Sequence, residues 1–541
     1  MTTVPSQRPP GWGASAPEGS ATSTHPSPPG ATPGRGRLLV RNARPVPLDG
    51  VDSRPDVAPV DLRIADGMIV EVAPRLERVP GEDELDAGGH WTIPGLWDHH
   101  VHAGQWIRST TWVDLAGTAS AREALDRLAA HIARLDASGA DPHQVVTGFG
   151  YRSVTWPSPA SVADLDAISG DRLVIAIAGD AHNGWLNSRA QAALGLPHRD
   201  TAHAENDWFS VIDRLSELPG FDPSPQLIRS VVAGMAARGI TGIVDFEFSD
   251  SFRQWPRLVA DGLDLIRVVA SVYPHQLDEA IGLGLSTGGA LPGGEGLVTM
   301  GPLKIITDGS LGTRTAWCCQ PYLSAPGDAD CGAPNLTGEE LRALIERADS
   351  HGLGVATHAI GDRANQAVLD AFAATGVHGR VEHAQLLRLD DIGRLADLGI
   401  AASIQPAHVL DDRDIADDCW ADRTERAFMM RSLQDAGVRL LFGSDAPVAP
   451  LDPWLAMAAA VHRSGDERDA WHPEQSLTVA ETLACSVDGQ RLAPGGRGDL
   501  VVLGDDPLRP CERPEDARAL LRGMPVLATV CAGRVTHRAD P

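Results

Sequence analysis

Hydrophobic and polar positions alternate along the chain in two distinct textures. From Leu38 onward, short runs with period-two alternation dominate: LLVRNARPV, then DLRIADGMIVEVAP, with Asp66-Gly67 between the last two apolar runs as a hairpin turn. The same texture returns only at the far end, in GDLVVLGDDP and PVLATVCAGRVTHR. Two β-rich ends around a long middle predict that they pair into one small β-sandwich. The middle places short apolar strands, such as ITGIVDF, LIRVVASVYP, GPLKIITDG, LGVATHAIG, GIAASIQPAH and VRLLFGSDAP, between amphipathic stretches. Two of these stretches, GEELRALIERADSHG and RANQAVLDAFAATG, end on a glycine of the helix-stop type. Alternating β and α units without a solenoid repeat predict an α/β fold, a distorted TIM (β/α)8 barrel. The expected division is a disordered tail over 1–36, a composite sandwich from 37–95 and 478–541, and a barrel over 96–477 with an insertion at about 103–235.

Composition narrows the class. The 541 residues are long enough for one large core and a satellite domain. A formal net charge of −26 and the lack of any Lys/Arg run argue against nucleic acid and anionic lipid as partners. Seven cysteines without a C-x-x-C pair suggest reduced thiols. No apolar stretch approaches the ~18 residues of a membrane helix, and the first residues lack an apolar signal core. The expectation is a soluble cytoplasmic protein acting on a small-molecule substrate, with a homodimer as its assembly.

The candidate chemistry lies at the C-terminal ends of the predicted strands, the face on which barrel enzymes build their sites. In TIPGLWDHHVHAG, His100 and His102 are two apart and point to the same side of an extended strand, where both imidazoles can grip one ion; His99 points the other way. His358 ends VATH ahead of a helix carrying Asp362 in its first turn. His383 ends RVEH, and Asp445 ends RLLFGSD. Each alone has a structural alternative: a strand-end polar residue, an interior hydrogen-bonded histidine or a helix cap. Lys304 is the sole lysine among 46 basic Lys and Arg residues. Arginine stays protonated, whereas a desolvated lysine can act as a neutral amine and be modified. Captured carbon dioxide would turn it into a carbamate able to bridge two cations; the alternative is a stray survivor of a bias toward arginine.

In this order the segments PGLWDHHVH, LKIITDGSLGTRTA, THAIGDRA, VEHAQ, SIQPAH and FGSDAPV, with APGGRGDLVVL near the end, resemble the amidohydrolase superfamily. The likeness is to its YtcJ-like branch, which includes N-substituted formamide deformylases. It runs from about residue 38 onward. The resemblance implies two divalent metal ions: His100, His102 and Asp445 on one, His358 and His383 on the other, and carboxylated Lys304 between them. Zinc is the default for such ligands, with iron or manganese tolerated. It also implies that RLVIAIAGDAHNGWLNSRA, in an insertion before the lysine strand, supplies His182 and Trp185 as pocket residues. The stretch 201–219 departs from the branch pattern, lacking a glycine-rich run that ends in glutamate.

The implied chemistry is hydrolysis of an amide or N-substituted formamide C–N bond by a metal-activated hydroxide. Asp445 would take the proton of the attacking water and hand it to the leaving amine. Gln405 is assigned to the substrate side; His408, three residues on, either donates to the oxyanion or holds the following loop. Trp97, Trp106, Trp112, Trp156 and Trp185 form a candidate apolar wall. Two other readings compete: a mononuclear deaminase of a heterocycle, against which Lys304 weighs, and a non-catalytic barrel scaffold, which the full ligand set disfavours.

Overall fold

A computed structural model describes residues 36–48, 57–158, 161–212, 214–323 and 330–539. The tail expected to be disordered lies outside these apart from Gly36. Eight parallel strands run Leu96–Val101, Ile240–Asp245, Arg267–Val272, Val298–Ile306, Val355–Ala359, Arg380–His383, Ala401–Ile404 and Leu440–Phe442, each paired with the next. A parallel bridge between Val101 and Ala446 joins the last strand to the first and closes the barrel. The strands are almost wholly buried, as expected where helices cover one face and the barrel interior the other. The two predicted helices are Gly338–Ser350, opened by a Thr337/Glu340 capping box, and Asp362–Thr375, closed by Gly376 in the left-handed region at φ 69°.

Inside the barrel, Trp97, Val244, Phe246 and Ala356 form a separate apolar cluster. Gly242 makes room for it, because a Cβ there would stand 2.2 Å from the Trp97 ring. This plug divides the barrel into a catalytic mouth and an opposite pole.

Both chain ends do pair, in one eight-stranded sheet. Its first strand, Arg37–Pro45, is shared: Leu38–Val40 pair with Leu62–Ile64, and after a bulge Arg44 and Pro45 pair with Trp91 and Thr92. Asp66 and Gly67, both at positive φ, make the expected hairpin turn. The C-terminal contribution begins at Leu500 rather than 478, since helix Val479–Ser486 packs its Leu483 and Cys485 into the barrel core.

The insertion builds a five-stranded sheet with cores on both faces. It ends earlier than about 235: helix Pro225–Ala237 already buries Val232 and Met235 in the barrel core.

Barrel and terminal sheet are joined by a buried ion pair. Arg267 Nε donates to Asp499 at 2.7 Å and its second nitrogen at 3.1 Å, and Asp499 also accepts the Ala532 N–H at 2.7 Å. Removing one partner of such a pair strands a buried charge. We expect Arg267→Met to cost about 3–5 kcal/mol in chemical denaturation, and adding Asp499→Leu to recover part of that loss. A loss below about 1 kcal/mol in the single variant would count against a structural role for the pair, since that is the range of exposed pairs.

Candidate metal centre and active cavity

The first barrel strand delivers His100, and His102 follows it as the residue before helix Ala103–Ser109. Their Nε2 atoms lie 3.4 and 3.3 Å from the same oxygen of Asp445. The strand-end register is held by buried Asp98, which accepts the N–H groups of His100 and of Ser444, 3.1 and 2.9 Å away. Asp445 takes a positive φ of 57° and His383 one of 73°, so both turn sharply off their strands toward the barrel axis.

His100 Nδ1 lies 2.8 Å from buried Glu382, the residue before His383. That carboxylate fixes the tautomer and turns the Nε2 lone pair into the cavity. Lys304 Nζ approaches this Nε2 to 3.0 Å and sits 4.2 Å above the Phe246 ring. The residue is 2% exposed, and burial lowers the amine's pKa to about 8, against the pull of Glu382 and Asp445.

His383 places its ring 4.4 Å from that of His358 and 5.0 Å from that of His100. His358 Nε2 faces the Gly309 carbonyl at 3.2 Å and buried Asp308 at 3.5 Å. Asp308 in turn accepts the N–H groups of Trp317, Ile360 and Gly361.

Two groups have ligand atoms close enough to share an ion: His100, His102 and Asp445, and His383, His408 and Asp445. The family resemblance implies His383 paired with His358, with His408 either donating to the oxyanion or holding the following loop. Here His408 joins His383 around Asp445, and His358 stands one ring further out. The donors fit a divalent cation. His102 Nδ1, His383 Nδ1 and His408 Nε2 are buried without a hydrogen-bond partner. Burial, reinforced by Lys304, lowers His358 to about 3, and burial first of all holds His100 and His383 well below the usual imidazole range. Neutral imidazoles are what a metal requires. Burial alone would raise the Asp445 carboxyl, but His100, His102 and His408 around it hold it far below the usual carboxylate range.

The cavity over these residues has a volume of about 740 Å³ including its mouth. One side is aromatic: Phe248 stacks between Phe209 and Tyr273, 5.7 and 4.9 Å between ring centres, and lies 5.3 Å from His102. The other is polar, with Arg152 3.3 Å from Asp412 and Gln385 Nε2 donating to Asp412 at 3.0 Å. No tryptophan lines it among the described residues. Trp185 is a correction: its fully buried ring packs on Tyr151 and Trp156 inside the insertion, its Nε1 donating to the Ser161 carbonyl. The segment that the family resemblance assigned to the pocket puts this ring into the inserted sheet's own core. Gln405 is a second: it lies beneath the site, 3.3 Å from His100 Nδ1, and is absent from the cavity wall.

His182 does line the cavity, with its ring 5.9 Å from that of His358. Its Nδ1 is 3.0 Å from Glu205, which the sequence reading missed; Glu205 also accepts from Thr313 and Thr315. Burial opposes protonation of His182, yet Glu205 overrides it and lifts the pKa to about 9; burial likewise opposes Glu205, which His182 holds at about 2. The raised imidazole contributes stability that is fully present below its ordinary 6.5 and lost as pH rises through about 9. The depressed carboxyl contributes above its ordinary 4.5, a share lost as pH falls through about 2. We expect Glu205→Gln to drop the His182 pKa below 6.5, read by NMR titration of its ring protons; an unchanged pKa would show that another group holds the charge.

The amidohydrolase family profile matches residues 83–537. Over 473 residues the chain is 27% identical to YtcJ of Bacillus subtilis (strain 168), spanning 79% of this chain and 86% of that one. It is 25% identical over 564 aligned positions to the N-substituted formamide deformylase of Arthrobacter pascens, covering 92% and 97%. Among solved structures, an uncharacterized metal-dependent hydrolase from Pyrococcus horikoshii superimposes with a TM-score of 0.70 at 25% identity, covering 88% of this chain and 98% of that one. With the profile spanning most of the sequence, and the barrel and its cluster of ligand-type side chains in accord with it, this chain belongs to the amidohydrolase family, a superfamily of metal-dependent hydrolases.

Proposed function

We propose that the protein hydrolyses the C–N bond of an amide or N-substituted formamide. The observation that carries this reading is Asp445 set between His100/His102 and His383/His408, with the only lysine's amine 3.0 Å from His100. His100, His102 and Asp445 would hold one divalent cation; His383 with His408 or His358 would hold a second. Zinc is the first expectation, iron or manganese the next. When bound, such cations polarise a carbonyl and acidify water.

The chain's own residues supply the rest. Lys304 Nζ, as the free amine, would add to the carbon of carbon dioxide, one C=O π bond opening as the N–C bond forms and the released proton passing to water; the resulting carbamate would be an anionic ligand available to the cations. Asp445, kept ionised by its histidines, accepts the proton of the attacking water on a carboxylate oxygen and releases it to the leaving nitrogen. The His182 imidazolium faces the cavity as a donor to the substrate carbonyl or a neighbouring anionic group. Phe209, Phe248 and Tyr273 exclude water and receive an apolar substituent, in place of the tryptophans expected from sequence. The similarity to a formamide deformylase supports an N-substituted formamide as the first substrate to try.

The test is a metal-replete screen of formamides, N-acyl amino acids, lactams and esters. Turnover of an amide or formamide above that of the ester analogues supports the reading; turnover of esters alone overturns it. Elemental analysis separates it from the mononuclear deaminase: two ions per chain are expected. We further propose a cytoplasmic setting and a homodimer. Among the described residues, no helix is long and apolar enough to cross a membrane.

A further inference from the structure

At the pole opposite the catalytic mouth, a second cavity of about 1570 Å³ including its mouth opens among the N-terminal ends of several barrel strands, at Val355, Arg380, Ala401 and Leu441. The Trp97–Phe246 plug separates it from the metal centre. Its lining combines two chemistries. Trp97, Met300 and Leu441 give an apolar wall. Facing them are Arg380, Arg439 and Arg497, set, among the described residues, against the carboxylates of Asp488 and, one layer deeper, Glu382. That leaves one positive charge over, in a protein of formal net charge −26.

Arg380 and Arg497 are held in place, while Arg439 stands exposed at the rim. Arg497 lies 4.3 Å above the Trp97 ring and is ion-paired with Asp488, which Arg439 meets at 3.3 Å. Arg380 donates to the His99 carbonyl at 3.1 Å and is 2.6 Å from Glu382. Among the described residues, several buried nitrogens of this lining make no hydrogen bond. Arg497 Nε has no partner, and His99 Nε2 has none either, although its residue is only 3% exposed and Asp488 is the nearest acid at 3.9 Å. Buried polar nitrogens without partners are costly unless something else supplies an acceptor. His99 points away from His100 and His102, as the strand alternation requires, and lines this second cavity.

We propose that this pole is a binding site for a small organic monoanion with an apolar body, of the class of a medium-chain carboxylate, whose head meets Arg439, Arg497 and His99 and whose tail lies along Trp97, Met300 and Leu441. Planar guanidinium groups suit a carboxylate's two oxygens, and the surplus of a single charge matches a monoanion. The site is independent of the proposed hydrolysis. Arg380 is left out of the test because its contact with Glu382 reaches His100.

The probe is octanoate, titrated calorimetrically into the metal-loaded full chain, with octanol as the uncharged control. Saturable one-to-one binding of octanoate is expected, at least tenfold tighter than octanol. Arg439 is exposed, so its replacement should leave the fold intact: Arg439→Gln should weaken octanoate at least threefold and Arg439→Glu at least tenfold, both with wild-type metal content and unfolding temperature. A crystal grown with 8-bromooctanoate should place anomalous bromine density beside Trp97. No binding, equal affinity for octanol, unchanged affinity in Arg439→Glu, or bromine only beside Asp445 would each overturn the proposal.

Discussion

Asp445→Asn is expected to lower kcat by about 10³-fold or more, within the range of lost general acid–base catalysis with loss of a charged ligand added. The amide keeps the volume and the sharp backbone turn but brings N–H donors toward His100 and His102, whose Nε2 atoms lie 3.4 and 3.3 Å from the present carboxylate. An acceptor of protons becomes a donor facing lone pairs, so metal occupancy should fall along with turnover. Steady-state kinetics and elemental analysis on the same preparation check both. Activity within tenfold of wild type would refute the assigned role.

Lys304→Met is expected to remove at least one metal ion per chain and lower kcat/KM by about 10²-fold or more, the scale on which disturbing a metal's ligand environment acts. The fold should survive, since methionine fills the same slot above Phe246 without leaving a buried charge. Lys304→Arg should fail equally: a guanidinium stays protonated and cannot form a carbamate. In the wild type grown or exchanged with ¹³C-bicarbonate, a carbamate carbon resonance should appear and be absent from both variants. Full metal occupancy and activity in Lys304→Met would leave the lysine without the assigned function.

Much of this site was readable in the chain. The two-residue spacing of His100 and His102 places them on one side of a strand whatever the fold, and both do converge on one oxygen of Asp445. The isolation of Lys304 in an arginine-rich sequence marked it as chemically distinct, and it lies buried against His100. Glu382 and Asp308 were passed over because a carboxylate one residue from a histidine, or inside a turn, has no periodic signature. Their significance rests on pairings 282 residues apart for Glu382 with His100, and across two strand ends for Asp308 with His358. Trp185 was misplaced for a related reason. A family resemblance assigns a segment to the neighbourhood of the site without showing which core each of its side chains enters, and the insertion proved to have its own.

What the sequence determined by itself was everything fixed by short-range geometry: the strands and helices, the helix stop at Gly376, the hairpin at Asp66-Gly67, and the residue types at strand ends. Those follow from periods of two and 3.6 residues, which covalent structure imposes locally. Only the tertiary structure decided that His408 rather than His358 closes on Asp445, that Phe209, Phe248 and Tyr273 line the cavity instead of tryptophans, and that His99 lines the cavity at the far pole together with three arginines. These depend on how eight strands are staggered around a closed barrel, and that stagger is set by the packing of the whole interior at once.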